Sequence, residues 1–152
     1  MTIDQLTEKV IGCAYRVHNE LGAGFLEKVY ENALRIELAE AGLRVQQQHP
    51  IPVVYHGEVV GEYFADLMVE DCLIVELKAV QSVGKEHEVQ LVNYLAATGI
   101  DDGVLINFGS SVQVKRKFRR YKERAPSSAV APGRAPAGTG AQPIAGSVVE
   151  GQ

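Results

Sequence analysis

Ile3, Leu6, Val10, Ala14, Val17 and Leu21 recur at the spacing that gives a helix one apolar face. Thr2 followed by Gln5 is a capping-box pair, and Gly22 ends the pattern, so a first helix is predicted over Ile3 to Leu21. After the short Gly22-Ala23-Gly24 loop, a second stripe runs through Leu26, Val29, Tyr30, Ala33, Leu34, Leu38 and Ala41. It predicts a helix from Leu26 to Ala41, closed by Gly42. The period then changes to two. Leu43 to His49 reads as a strand, with Pro50 and Pro52 interrupting the run and pointing to a sheet edge. Pro52 to Tyr55 and Glu58 to Phe64 read as a hairpin about His56-Gly57, its second arm running on to Asp66. A further hairpin, a helix over Lys85 to Thr98, a short apolar strand from Val104 to Phe108 and a charged strand from Val112 to Phe118 follow. This order predicts an α/β fold, a mixed β-sheet flanked by helices.

The hairpin between Asp66 and Lys78 has the sharpest pattern. Leu67, Val69, Leu73, Val75 and Leu77 are all odd-numbered; Asp66, Met68, Ile74, Glu76 and Lys78 are all even-numbered. Both arms bury the same face only if odd residues pair with odd. A three-residue loop, Glu70-Asp71-Cys72, does this by pairing Val69 with Leu73. Asp66 then stands across from Glu76, about 5 Å away at Cβ, with Lys78 further along the same face. Two carboxylates and an amine are thereby brought together by the apolar pattern alone.

Composition narrows the setting. The chain of 152 residues is long enough for one domain with a real core. No apolar run approaches a membrane span and no signal pattern opens the chain, so a cytoplasmic protein is expected. Cys13 and Cys72 are isolated and read as free thiols, and His18, His49, His56 and His87 show no zinc-ligand spacing. From Ala125 onward Ala, Gly, Pro and Ser dominate, so residues 1–124 are expected to form the domain and residues 125–152 a disordered tail.

The net charge of −4 rules out a bulk electrostatic argument for nucleic-acid binding. Charge is unevenly placed, however: residues 115–124 concentrate Lys115, Arg116, Lys117, Arg119 and Arg120 around Phe118 and Tyr121. Such a strip either meets phosphates or simply solubilises the end of the domain.

Hard divalent cations such as Mg²⁺ take carboxylate and carbonyl oxygens. Asp66, Glu76 and the carbonyl of Leu77 offer that donor set, and Lys78 on the same face suits phosphodiester hydrolysis. Glu27 adds a carboxylate if the second helix packs over this face; otherwise it is a first-turn acid. On the third helix His87, Gln90 and Tyr94 form a polar stripe. Acid-x-Lys on a strand is by itself a weak signal, equally that of a solvated face.

Five ordered blocks nevertheless resemble one family. Gly24-Phe25-Leu26-Glu27-Lys28-Val29-Tyr30 is the GxxExxY signature, and Gly61 to Asp66 and Ile74 to Val80 look like the GEyxAD and ivELKav blocks of the GxxExxY proteins. His87 to Leu95 and Leu105 to Gly109 resemble their HExQLxNYL and LiNFG blocks. That family is similar to the PD-(D/E)XK nuclease-like superfamily. The resemblance implies a restriction-endonuclease-like αβββαβ core, here preceded by an additional N-terminal helix, and a Mg²⁺- or Mn²⁺-dependent nuclease acting on DNA more than RNA. It implies that Asp66, Glu76, Leu77 and Glu27 hold metal, that Lys78 assists the water or the transition state, and that Gln90 and Tyr94 orient substrate or Lys78. Ala65 stands where the motif name has Pro. The strip at 115–124 would track phosphates, and a homodimer is compatible with this size. The alternative is a non-catalytic nucleic-acid- or protein-binding module that keeps the fold.

Overall fold

The computed structural model describes residues 1–119. Arg120, the rest of the basic strip and the tail expected over 125–152 lie outside the described residues. The elements are α1 (Ile3–Leu21), α2 (Glu27–Glu40), β1 (Val45–Tyr55), β2 (Glu58–Val69), β3 (Leu73–Lys78), α3 (Lys85–Thr98), β4 (Asp102–Phe108) and β5 (Val112–Phe118). From α2 to β4 this is the expected αβββαβ order, with α1 in front and β5 behind.

The five strands lie in the order β1-β2-β3-β4-β5. All neighbours are antiparallel except β3 and β4, which run parallel with α3 as the crossover. The sheet is therefore mixed and carries helices on both faces. Leu6, Val10, Cys13, Ala14 and Val17 of α1 and Tyr30, Leu34 and Leu38 of α2 pack on Leu67, Val69, Leu73, Val75 and Leu77. Leu91, Tyr94 and Leu95 of α3 pack on Ile51, Ala65, Met68, Ile74 and Leu105 on the other side. Each buried aliphatic side chain contributes roughly 1.5–3 kcal/mol. With a helical layer on each face, β3 and β4 are buried along almost their whole length.

Helix α1 starts as its sequence requires. The Gln5 N–H donates to Thr2 Oγ1 at 3.1 Å, and the Thr2 N–H donates to Gln5 Oε1 at 2.8 Å. The hairpin register also holds, with Leu67 opposite Val75, Met68 opposite Ile74 and Val69 opposite Leu73. Glu70 and Asp71 supply the left-handed turn residues, at φ 52° and 57°.

One expectation is corrected. The two short strands predicted over Leu43 to His49 and Pro52 to Tyr55 are one continuous strand, β1, in which Pro50 pairs with Phe64 and Pro52 with Glu62. β1 is the sheet edge, the position in which a strand tolerates Pro. The condition set for Glu27 is met in another way: α2 lies over the odd-numbered face of β2 and β3 and not over the even-numbered one. Glu27 therefore approaches the acids from the side opposite α3.

Tyr30 shows why the chain turns tightly before α2. Its ring stacks on Phe108 with centroids 4.6 Å apart and planes 7° from parallel. Its hydroxyl donates to the Gly22 carbonyl at 2.6 Å and accepts the Phe25 N–H at 3.2 Å. The tyrosine of the GxxExxY block is thus a buried tie between the loop and β4. Replacing it with Phe removes both bonds and keeps the stack. Tyr30→Phe is expected to lower unfolding stability by about 1–2 kcal/mol in urea melts; an unchanged midpoint would show that the hydroxyl ties nothing down.

Candidate active site

Asp66 sits where the β2 alternation falls out of step. Leu67 and Val69 face α1 and α2, whereas Ala65 joins Met68 on the α3 side. β1 does the same: Val45 packs toward α1 and α2, and Ile51 toward α3. The pairing between the two strands passes from Gln47–Leu67 to His49–Ala65 and skips the rung of Gln48 and Asp66. On its other flank β2 pairs with β3 only as far as Leu67 and Val75. Asp66 and Glu76 are the next pair along that register, and here side chains replace the ladder.

The Asp66 N–H donates to Glu76 Oε2 at 2.9 Å, and the Leu77 N–H donates to Asp66 Oδ2 at 2.8 Å. Each acid is fixed by the backbone of the opposite strand. In an extended strand the N–H and C=O of one residue point to the same edge. Leu77 donates toward Asp66, so its carbonyl points toward the acids as well.

The electrostatics follow from this crowding. Glu76 is only 6% exposed. Burial, and then the charge of Asp66, push its pKa up to about 8. Burial also raises Asp66, against the Leu77 N–H that lowers it, and the carboxylate of Glu31 adds to the rise. Glu27 is raised by burial and by Asp66, and the Lys78 ammonium partly offsets this. Tyr94, 7% exposed on α3, is held protonated by its burial and by Glu76.

The structure therefore brings Asp66, Glu76, Leu77, Glu27 and Tyr94 together. Lys78 is half-buried beside them, acts on all three acids, and forms no ion pair among the described residues. Gln90 is half-buried one turn before Tyr94, with no side-chain bond to the acids. His87 does not join them either: its Nδ1 accepts the Gly84 N–H at the start of α3. No three His, Cys, Asp or Glu side chains among the described residues form a ready-made metal cage. The donor set nonetheless suits a hard cation, because it is all oxygen and each acid retains unused lone pairs.

Three contributors escaped the sequence reading. Glu31, 2% exposed, lies one turn after Glu27 and accepts bonds from Lys28, Gln47 and Gln48. Gln48 reaches both Glu31 and Asp66. Asn107, fully buried beside Lys78 in the β3–β4 register, clamps Val80 by accepting its N–H and donating to its carbonyl, both at 2.9 Å. The i, i+4 spacing of Glu27 and Glu31 was the available signal for the first.

The basic strip is placed differently from the expectation. β5 is the far edge of the sheet, and its cations are paired: Lys115 and Lys117 with Glu88, Arg116 with Asp4 and Asp102. Arg119, just beyond β5, pairs with Asp101. They tie the edge strand to α1, α3 and β4.

A family model described as the PD-(D/E)XK nuclease superfamily matches residues 4–121 of the chain. Among solved structures, the fold is similar to the crystal structure of an alkaline exonuclease from Laribacter hongkongensis. The TM-score is 0.46 at 16% identity, over 61% of this chain and 56% of that one. The chain thus corresponds to little more than half of that exonuclease. No curated protein matches the chain.

The raised pKa of Glu76 has a definite sign. An acid whose folded pKa exceeds its unfolded value contributes stability below about 4.5, and that stability is lost as pH rises through about 8. Metal-free protein is therefore expected to lose stability between pH 5 and pH 8.5 in urea melts with chelator. Glu76→Gln should flatten this slope. Parallel slopes for the two proteins would contradict the buried, crowded carboxylate.

Proposed function

The chain belongs to the PD-(D/E)XK nuclease superfamily, and from that premise we propose that it is a divalent-metal-dependent nuclease hydrolysing phosphodiester bonds, with DNA ahead of RNA. The observation that carries this reading is the exchange of bonds across the gap between β2 and β3, Asp66 N–H to Glu76 and Leu77 N–H to Asp66, with Lys78 two residues beyond Glu76. The order of DNA before RNA rests on the sequence resemblance. A cytoplasmic setting goes with the free thiols Cys13 and Cys72.

In this reading Asp66, Glu76 and the Leu77 carbonyl hold Mg²⁺ or Mn²⁺, and Glu27 supports them from α2. When bound, the cation lowers the pKa of a water and stabilises charge on the phosphate. Lys78 lies in the field of three acids; it holds the attacking water or neutralises a phosphoryl oxygen. The Tyr94 hydroxyl keeps its proton, so it serves as a donor that orients a substrate oxygen. Gln90, half-buried one turn earlier on α3, offers its amide for the same task. The paired cations of β5 are not required.

One observation favours the second reading, a binding module that keeps the fold. Each acid already spends an oxygen on the partner strand, which is a structural task. The two readings part on cleavage. Labelled single- and double-stranded DNA and RNA should be cut with Mg²⁺ or Mn²⁺ and left intact with chelator. Asp66→Ala, Glu76→Ala and Lys78→Ala should each lower the rate by about 100-fold or more. Cleavage that survives all three substitutions would remove the site from the reaction; binding without cleavage by the wild type would establish the module.

A further inference from the structure

Gln48 adopts φ 52°, the left-handed region that side chains with a Cβ seldom enter. The other non-glycine residues that do so among the described residues are His56, Glu70 and Asp71, and these three make hairpin turns. Gln48 lies inside β1, where no turn needs the conformation. It also occupies the rung that the β1–β2 pairing skips, opposite Asp66. Strain of this kind persists only where the surrounding structure over-determines it, and such sites are often functional.

That side chain joins two acids. Its Nε2 lies 3.1 Å from both oxygens of Glu31 and 3.4 Å from Asp66 Oδ1. An amide nitrogen has two hydrogens, so one N–H straddles the Glu31 carboxylate and the other reaches Asp66. Glu31 is itself immobilised, because Gln47 Nε2 donates to it at 2.7 Å and the Lys28 ammonium at 3.1 Å. Asp66 thus receives a donor on each oxygen: the Leu77 N–H on Oδ2 and Gln48 on Oδ1. Both oxygens keep further lone pairs.

We propose that Gln48, anchored by Glu31, is a positioning residue that fixes the Asp66 carboxylate in the orientation that accepts a divalent cation. The inference rests on the reading of Asp66 as a metal ligand. Partners of this kind, one step removed from a metal, orient the ligand, and their loss typically lowers affinity about 10- to 100-fold.

The test is calorimetric titration of Mn²⁺ into the full chain, beside thermal unfolding in chelator. Gln48→Gly removes the side chain and relieves the backbone, so it should melt close to the wild type. It should nevertheless bind Mn²⁺ about 10- to 100-fold more weakly. Gln48→Asn also tolerates the left-handed conformation but is one methylene too short to span both acids, and it should show the same loss. In the cleavage assay both variants should need more Mn²⁺ for half-maximal rate and approach the wild-type rate at saturation. Wild-type affinity in both variants, with binding abolished in Asp66→Asn, would overturn the role of Gln48 and leave the site standing. A wild type that takes up no Mn²⁺ would overturn both.

Discussion

Two like charges on facing strands repel, and β2 and β3 bring Asp66 and Glu76 together regardless. What makes this tolerable is an exchange of bonds: each carboxylate takes a backbone N–H from the strand opposite. The backbone is then satisfied where the ladder has ended, and the acids are fixed without rotamer freedom. Burial first, and the neighbouring carboxylates after it, raise the pKa values of Glu76, Asp66 and Glu27. A folded protein that maintains such a cluster gains directly from a bound cation.

The rest of the fold can be understood from this gap. β1 and β2 both change which side chains face which layer at the same rung, so Asp66 sits between the two cores and belongs wholly to neither. α2 brings Glu27 and Glu31 to one side, and α3 brings Tyr94 to the other. Tyr30 binds the start of α2 to Phe108 of β4, and Asn107 of β4 clamps Val80 just after Lys78. Strand β4 thereby supports both approaches to the site while contributing no acid of its own.

Much of this was legible from periodicity. α1, α3 and the register of the β2–β3 hairpin follow from apolar spacing and one loop length. Where reading failed, the cause was non-local. Pro50 and Pro52 pointed to the edge position that β1 holds, but they looked like breaks because the residues themselves do not show how far the pairing with β2 runs. The face covered by α2 depends on packing, and the expectation that Asp66 shares a simple even-numbered face ignored a switch that only two strands together reveal. Glu31 resembles any helix-surface acid until Gln47 and Gln48 arrive from β1. The basic strip carries conspicuous charge, but its partners Asp4, Glu88, Asp101 and Asp102 are spread over the chain.

The proposed chemistry turns on Asp66 and Glu76 holding one divalent cation between them. Anomalous scattering from crystals grown with Mn²⁺ reads this out directly. A peak is expected at both carboxylates beside the Leu77 carbonyl, absent in Asp66→Asn crystals. A map without a peak there, or with Mn²⁺ only at exposed acids such as Glu70 and Asp71, would contradict it.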